Sequence, residues 1–254
     1  MLNVEIISCL NDNYSYVIND TETDLVGVID PAEFSSIDKF ISIKHKRLDY
    51  ILNTHHHYDH VGGNTKLKKK YSSKVVGFEI DKNKIPNIDI VLSENQEFKF
   101  GKTIFKIIFV PGHTKGHVAF YSQKEKLIFT GDTLFSLGCG RVFEGTYEEM
   151  YSSINKIKNL PKDTKIYCGH EYTLSNFKFC FKFDNNNNSL IRKKKWLDEQ
   201  IYKNLPTIPI TLGEELNTNI FLRCDNNEVK NNLKMSGYPD ELIFQKLRNL
   251  KDKF

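Results

Sequence analysis

The chain has 254 residues, of which 39% are hydrophobic and 27% are charged, and its formal net charge is +4. A chain of this length can bury a large core in one broad domain or in a domain with an appendage. The lysine runs at 68–70 and 193–195 are short, which is typical of solvated helix faces and unlike the clustered basic stripe of a nucleic-acid interface. We therefore expect no nucleic-acid partner.

The cysteine content indicates a reducing compartment. The five cysteines are widely spaced, their number is odd, and none belongs to a Cys-x-x-Cys pair, so a disulfide framework is not expected. Residues 1–5 lack the basic and apolar stretches of a secretory signal, and no apolar run approaches membrane-spanning length. We expect a cytoplasmic protein without a membrane partner, and a monomer rather than an oligomer.

In chain order, runs with strand character open the sequence and helical patterns follow. Turn residues separate the first apolar runs, and Phe34, Ile37 and Ile41 recur at helical spacing. The predicted elements in the first 158 residues are strands at 4–8, 14–19 and 25–29, a helix at 34–46, a helix that begins after 63–64, further strands up to 130, and a helix at about 147–158. Strands that alternate with helices predict a layered α/β domain.

The pattern changes near residue 173. Beyond it, glycine is rare and the periodicity is helical over 173–183, 189–204, from 214 onward and over 240–251. Ser189 is placed to cap the second of these helices, and Thr211 and Glu214 have the spacing of a capping box. We predict a domain of residues 1–173 and a smaller all-helical domain of residues 174–254.

A segment with the sequence Thr-His-His-His-Tyr-Asp-His, residues 54–60, is rich in metal-ligand side chains, namely His55, His57, Asp59 and His60. It directly follows the apolar run 50–53, so a buried strand delivers these side chains at its end. Imidazoles and a carboxylate suit a borderline divalent ion such as zinc, and side chains that leave a loop in different directions can serve two ions. We expect a loop, with Gly62 and Gly63 supplying backbone freedom for a sharp turn.

Three further apolar runs also end in a glycine-flanked His or Asp: His113 follows 104–110, Asp132 follows 127–130, and His170 follows 165–168. A histidine run alone could be a solvated tract that binds metal weakly. The agreement of four strand ends favours a metal site instead.

Three histidines, His45, His56 and His117, are left without a ligand role. His56 alternates with two candidate ligands, and we expect it to support a ligand or to face solvent. His117 could orient a ligand through a hydrogen bond.

The segments 54–60, 111–117, 131–135 and 169–173 together resemble the motifs of the metallo-β-lactamase superfamily and, within it, those of the glyoxalase II (hydroxyacylglutathione hydrolase) family. The similarity covers nearly the whole chain. The metal motif is shared by many activities, whereas the segment 169–173 and the C-terminal tail are more specific to this family. The resemblance implies a four-layer αββα sandwich with its site at one rim, followed by an all-helical domain that holds glutathione over the metals.

The resemblance also implies two divalent metal ions, zinc above all, with iron and manganese compatible as well. The implied ligands are His55, His57 and His113 for one ion, Asp59, His60 and His170 for the other, and Asp132 as a bridge. A water shared by two dications loses a proton near neutral pH, and the resulting hydroxide would attack a thioester carbonyl carbon, with Asp59 and Asp132 in catalytic positions. The implied reaction converts S-(2-hydroxyacyl)glutathione, above all S-D-lactoylglutathione, to D-lactate and glutathione, the second step of methylglyoxal detoxification.

Substrate contacts follow from the same resemblance. Arg141 stands where family members carry lysine or arginine, Tyr172 matches a tyrosine that contacts the glutathione backbone, and Arg248 and Lys251 match a basic pair that meets the glycine carboxylate. Without the resemblance, this pair would be interpreted as a solvated helix end. Phe143 stands where many relatives have tyrosine, which predicts weaker substrate binding with the chemistry intact.

Three alternative functions use related features. A sulfur dioxygenase would hold a single iron with two histidines and an aspartate on the same scaffold, a nuclease would exploit the lysine excess, and a non-catalytic binding protein would keep the fold alone. The helical tail and the second ligand trio argue against the first, and no substrate-gripping insertion is found for the second. The third would be expected to have lost a ligand, and none is lost.

Overall fold

The computed structural model describes residues 1–254, and two six-stranded sheets form its centre. The first sheet contains, in sequential order, β1 (Leu2–Cys9), β2 (Asn13–Asp20), β3 (Leu25–Ile29), β4 (Tyr50–Leu52), β5 (Lys74–Phe78) and β6 (Ile88–Leu92). Strands β1 to β3 are antiparallel, and β3 to β6 are parallel. The carboxyl ends of β3, β4 and β5 therefore meet at one edge of this sheet.

The second sheet is formed by β7 (Glu97–Phe100), β8 (Thr103–Phe109), β9 (Val118–Ser122), β10 (Leu127–Gly131), β13 (Lys165–Cys168) and β14 (Ile210–Thr211). Its order is β14-β13-β10-β9-β8-β7, and only the β10–β13 pair is parallel. A small hairpin of β11 (Leu134–Phe135) and β12 (Gly138–Cys139) follows β10.

Strand β2 shows how the strands build two cores at once. Tyr16 and Ile18 belong to the apolar cluster between the two sheets, whereas Val17 belongs to the cluster beneath the outer helices. Successive side chains on a strand point to opposite faces, so one run of buried apolar residues contributes side chains to both cores. The inter-sheet cluster is rich in aromatic side chains, and Phe105 contacts both Phe120 and Phe129.

Helices cover both outer faces and complete the αββα arrangement that the resemblance implied. On the first sheet lie α1 (Phe34–Lys44) and α3 (Asn64–Tyr71), which bury Ile37, Ile41 and Leu67. On the second sheet lies α4 (Tyr147–Lys158), which begins at a capping box of Thr146 and Glu149. The predicted fold class is confirmed, and the predicted bounds differ from the observed ones by one or two residues.

The C-terminal region is helical, with α5 (Thr173–Phe183), α6 (Asn188–Tyr202), α7 (Leu212–Thr218), α8 (Asn227–Asn232) and α9 (Asp240–Lys251). The capping box of Thr211 and Glu214 is confirmed. The predicted Ser189 cap is wrong, because the side chain of Asn187 accepts the hydrogen bonds from the N–H groups of Ser189 and Leu190.

The C-terminal helices do not have a core of their own. Their buried apolar side chains form one continuous cluster with those of α4 and of the outer face of the second sheet. This region also supplies β14, which pairs with β13 in the same sheet. The predicted division at residue 173 stays a prediction.

All five cysteines are buried free thiols. None of the helices is long and apolar enough to pass through a lipid bilayer.

Candidate metal centre and adjoining cavity

The strand-end side chains predicted to bind metal converge on one site. His55 and His57 follow β4, and the four-residue helix α2 (Tyr58–Val61) carries Asp59 and His60. The prediction of a loop is therefore wrong for the end of this segment, because the N–H groups of His60 and Val61 both donate to the carbonyl oxygen of His57. This single helical turn directs Asp59 and His60 towards the strand ends of the second sheet.

Gly62 has an ordinary helical φ of −60°, so the predicted need for backbone freedom does not explain why this residue is glycine. A Cβ at this position would lie 2.5 Å from the carbonyl oxygen of Ala32. Glycine is needed here because the turn approaches the segment after β3 closely.

One cluster contains His55, His57 and His113, whose ligand atoms all lie within 4.8 Å of one another. The Nε2 of His113 is 3.0 Å from the Nδ1 of His57. His55 and His113 are buried, whereas His57 is half-buried and faces the cavity.

A second cluster contains Asp59, His60 and His170, again with ligand atoms within 4.8 Å. The Nε2 of His170 lies 3.4 Å from both the Nε2 of His60 and the Oδ2 of Asp59. Asp132 lies between the two clusters: its Oδ2 is 3.4 Å from the Nε2 of His113 and 3.3 Å from the Nε2 of His170.

Close backbone packing keeps Asp132 in this position. The N–H of Asp132 donates to the Nε2 of His117 at 3.0 Å, which gives the orienting hydrogen bond expected of that histidine. A Cβ on Gly169 would lie 2.2 Å from the Oδ1 of Asp132, and one on Gly131, where φ is +46°, would collide with His117 and Thr54. Only glycine allows both strand ends to approach the carboxylate this closely.

The Nδ1 atoms of His60 and His170 contact carboxylates that the sequence analysis did not identify. Asp30 accepts from the N–H and hydroxyl of Thr54 and lies 3.1 Å from the Nδ1 of His60. Asp12 lies 2.8 Å from the Nδ1 of His170, and the amide of Asn13 donates to Asp59 at 3.0 Å. Such partners fix ring orientation at metal sites. Asp30 directly follows β3, but Ile29 and Pro31 flank it, so the pattern of a glycine-flanked strand end does not select it.

His56, the remaining histidine of the motif, points away from the two clusters. Its Nδ1 lies 2.9 Å from the buried Asp81, and its Nε2 lies 3.3 Å from Glu144. His56 therefore connects the motif to the segments that carry Asp81 and Glu144. A supporting role was one of the two roles expected for this histidine.

Electrostatics keeps most of these imidazoles neutral. Burial, together with the neighbouring histidines, lowers the pKa of His55 well below its usual range and the pKa of His57 to about 4. His170 and His60 differ, because neighbouring carboxylates outweigh burial at both. Asp132 and Asp12 raise the pKa of His170, and Asp132, Asp30 and Asp59 raise the pKa of His60 to about 9. A divalent cation beside Asp132 and Asp59 would replace that proton, because metal ions and protons compete for the same imidazole.

The donor set fits metal ions. The Nε2 of His55 and the Oδ1 of Asp132 are buried, yet neither has a hydrogen-bond partner. Polar atoms left in this state are costly, and each belongs to a predicted ligand that faces the clusters. Neutral imidazoles and carboxylates are the donors that zinc and similar divalent ions take.

A cavity of about 480 Å³ adjoins the clusters. Its lining includes the candidate ligands His57, Asp59, His113, Asp132 and His170, and all five predicted substrate contacts, Arg141, Phe143, Tyr172, Arg248 and Lys251. The structure thus brings residues from the loop after β12, from the start of α5 and from α9 to the same space as the clusters.

Two aromatic rings of the cavity contact the histidines. The ring of Tyr172 stacks on that of His170, with centroids 4.8 Å apart and an interplanar angle of 3°. The ring of Phe143, which is 59% exposed, contacts His113 edge-on at 5.2 Å.

The basic side chains of the cavity differ in their exposure. Arg248 is only 4% exposed and donates to the carbonyl oxygen of Cys139 at 2.7 Å. Lys251 donates to the hydroxyl of Ser175 at 3.0 Å, and burial lowers its pKa to about 8. Neither is the solvated helix end that the sequence pattern alone favoured.

Comparisons with known proteins agree with this geometry. A sequence model of the Metallo-beta-lactamase superfamily matches residues 11–170, and a model described as Hydroxyacylglutathione hydrolase C-terminus matches residues 171–254. The chain is 51% identical to a hydroxyacylglutathione hydrolase of Pelagibacter ubique over 253 residues, which cover 100% of both chains. It is 39% identical to one of Methylococcus capsulatus over 254 residues, which cover 100% of this chain and 99% of the relative.

Among solved structures, that of ETHE1 from Myxococcus xanthus is similar with a TM-score of 0.68 at 21% identity, covering 98% of this chain and 91% of that chain. This likeness shows the fold. The αββα sandwich with His and Asp clusters at its strand ends defines a protein of the metallo-β-lactamase class. The full-length matches are more specific: the chain belongs to the hydroxyacylglutathione hydrolase (glyoxalase II) family of the metallo-β-lactamase superfamily, and the resemblance deduced from the motifs is confirmed.

Proposed function

We propose that the chain hydrolyses S-(2-hydroxyacyl)glutathiones, and that S-D-lactoylglutathione is its substrate, with D-lactate and glutathione as products. One observation carries the proposal. The strand-end His and Asp side chains meet at a cavity whose remaining lining includes α5 and α9, in the region that matches the C-terminal model of the hydroxyacylglutathione hydrolases.

The proposal assigns two divalent metal ions to the clusters. His55, His57 and His113 would hold one ion, and Asp59, His60 and His170 would hold the other, with Asp132 available to both clusters. Zinc suits this donor set, and iron or manganese is compatible with it. When bound, such ions supply an activated water and polarise a carbonyl oxygen.

The charge and orientation of three side chains at the site are compatible with hydrolysis of a thioester by an activated water. Burial opposes the charge of Asp132, but His60, His170 and His113 together outweigh burial and lower the pKa of this carboxyl below its usual range. Asp59 lines the cavity, and Asn13 holds its orientation. Cys139 is not the nucleophile, since burial raises the pKa of its thiol to about 11 and only the thiolate is reactive. A departing thiolate is stable by itself, so no strong general acid is required.

Recognition of glutathione is assigned to the residues that line the cavity beside the clusters. Tyr172 is held against His170 and presents its hydroxyl to the glutathione backbone, while Arg141, Arg248 and Lys251 supply positive charge for the glycine carboxylate. Charge-assisted hydrogen bonds of this kind are the stronger ones. Phe143 lies beside His113 and offers an apolar edge but no hydroxyl.

The decisive experiment measures thioester cleavage by the full chain with zinc restored. We expect turnover of S-D-lactoylglutathione and much slower turnover of the lactoyl thioester of a thiol that lacks the glycine carboxylate. Inactivity towards the first compound alongside rapid cleavage of another ester would refute the proposal. Oxygen consumption with a glutathione persulfide would indicate a dioxygenase instead.

The proposal extends to the state of the protein in the cell. We propose a cytoplasmic location, which the five free and buried cysteines support, and a monomeric state. Light scattering on the purified chain tests the monomer, and fractionation of cells tests the compartment. Expression of residues 1–173 alone tests the predicted domain division.

A further inference from the structure

A single carboxylate oxygen joins two arginines in the cavity. The Oδ1 of Asp252 accepts from the Nε of Arg141 at 3.2 Å and from an η nitrogen of Arg248 at 3.0 Å. Asp252 lies at the C-terminal end of α9, whereas Arg141 lies in the loop after β12. All three side chains line the cavity.

The two arginines depend on Asp252 to different degrees. Arg248 is also held by the carbonyl oxygen of Cys139 at 2.7 Å and by the ring of Phe221 at 5.3 Å. Its position is therefore set without Asp252. The side chain of Arg141 is 55% exposed. Apart from Asp252, its guanidinium contacts only the exposed ring of Phe143 at 5.8 Å, and it has no other ion pair or hydrogen bond.

The Asp252 contact uses only the Nε of Arg141, so both terminal nitrogens of this guanidinium remain available to a ligand. Without the contact, a long exposed arginine would occupy many rotamers, and each binding event would have to order it. A carboxylate that makes one hydrogen bond to Arg141 and leaves its other donors free keeps the side chain extended across the cavity.

We propose that Asp252 is a positioning residue for substrate recognition: it holds Arg141 beside Arg248 so that Arg141 receives the carboxylate of the glutathione conjugate. This inference rests on the proposed function and adds a residue to it. Asp252 acts through Arg141 and does not contact the reacting atoms. Its effect therefore falls on substrate binding and not on the chemical step.

The test compares Asp252→Ala with the wild-type chain, both loaded with zinc and both complete. We expect KM for S-D-lactoylglutathione to rise about three- to tenfold, the cost of ordering one released arginine side chain, while kcat changes less than about twofold. The Kd of S-methylglutathione, which the chain cannot hydrolyse, should rise by the same factor in calorimetry. Asp252→Asn keeps the acceptor oxygen and should give an intermediate value.

Two controls separate positioning from a structural effect. Asp163→Ala removes an exposed carboxylate whose partner is Lys126 at 2.6 Å, outside the cavity, and should leave KM unchanged. In an Arg141→Ala background, Asp252→Ala should add little further to KM, because the side chain that it positions is gone.

Each outcome decides the matter. An unchanged or lowered KM in Asp252→Ala, or full additivity with Arg141→Ala, overturns the positioning role while the proposed function stands. A wild-type chain that binds S-methylglutathione but does not cleave the thioester overturns the proposed function, and the Kd values then decide the role of Asp252. A wild-type chain that does neither overturns both.

Discussion

The Nε2 of His117 accepts a hydrogen bond from the backbone N–H of Asp132 at 3.0 Å, and the imidazole of His117 stacks on that of His55 at 4.5 Å. His117 thus touches two predicted ligands without belonging to either cluster. Burial and the neighbouring His113 lower its pKa well below the usual range, so the ring is neutral and its nitrogen can accept. It therefore fixes the carboxylate that lies between the clusters.

We expect His117→Ala to weaken metal binding or activity by about 10- to 100-fold, as is typical when a group that orients a ligand is removed. Competition with a chromogenic chelator measures the metal affinity. His45→Ala is the matched control, since His45 lies outside the cavity, and it should retain full affinity. Equal affinities in the two variants would contradict the role of His117.

Removal of one ligand from each cluster tests the assignment of two ions. His55→Ala and His170→Ala should each bind one ion fewer than the wild type by mass spectrometry of metals. Their kcat/KM should fall by more than about 100-fold, because several kcal/mol of charge stabilisation are lost. Retention of two tightly bound ions in either variant would refute the ligand sets.

Phe143 offers a gain-of-binding experiment. Its exposed ring lies 5.9 Å from that of His57 at the cavity wall. We expect Phe143→Tyr to lower KM by about two- to tenfold through one added hydrogen bond, with kcat unchanged. Phe181→Tyr, on an exposed phenylalanine outside the cavity, should change neither constant, and an unchanged KM in Phe143→Tyr would count against the account.

Glu215 gives the stability of the fold a pH dependence. Its Oε2 accepts from the N–H of Leu137 at 2.8 Å and from the amide of Asn219 at 2.9 Å, and its Oε1 is buried without a partner. Burial outweighs these hydrogen bonds and raises the pKa of this carboxyl to about 7, from an unfolded value of 4.5. The folded state therefore binds the proton more tightly than the unfolded state does.

It follows that the contribution of Glu215 to the free energy of unfolding falls as pH rises from 4.5 to about 7, by on the order of 3 kcal/mol. Glu215→Gln keeps an acceptor for Leu137 and removes the charge, so it should stabilise the protein at pH values above 7 and have little effect at pH values below 4.5. Denaturant unfolding at several pH values measures this. Glu199→Gln, on the exposed face of α6, is the control; equal effects of Glu215→Gln at low and high pH would contradict the prediction.

Much of the site could be predicted because its ligands stand directly after strands. His113, Asp132 and His170 each follow a short apolar run with the length and composition of a buried strand, and the sheets bring these strand ends together. The helical turn at Tyr58–Val61 was missed because four residues are too few for a periodic pattern.

The sequence by itself determined the family, the layered fold and the candidate ligands, since these depend on local periodicity and on short motifs. The tertiary structure alone decided that Asp30 and Asp12 hold the histidines, that Arg248 is buried against Cys139, and that Asp252 joins it to Arg141. Arg141 and Asp252 are 111 residues apart in the chain. No local pattern relates such residues, because only the packing of α9 against the end of β12 and the loop after it brings their charges together.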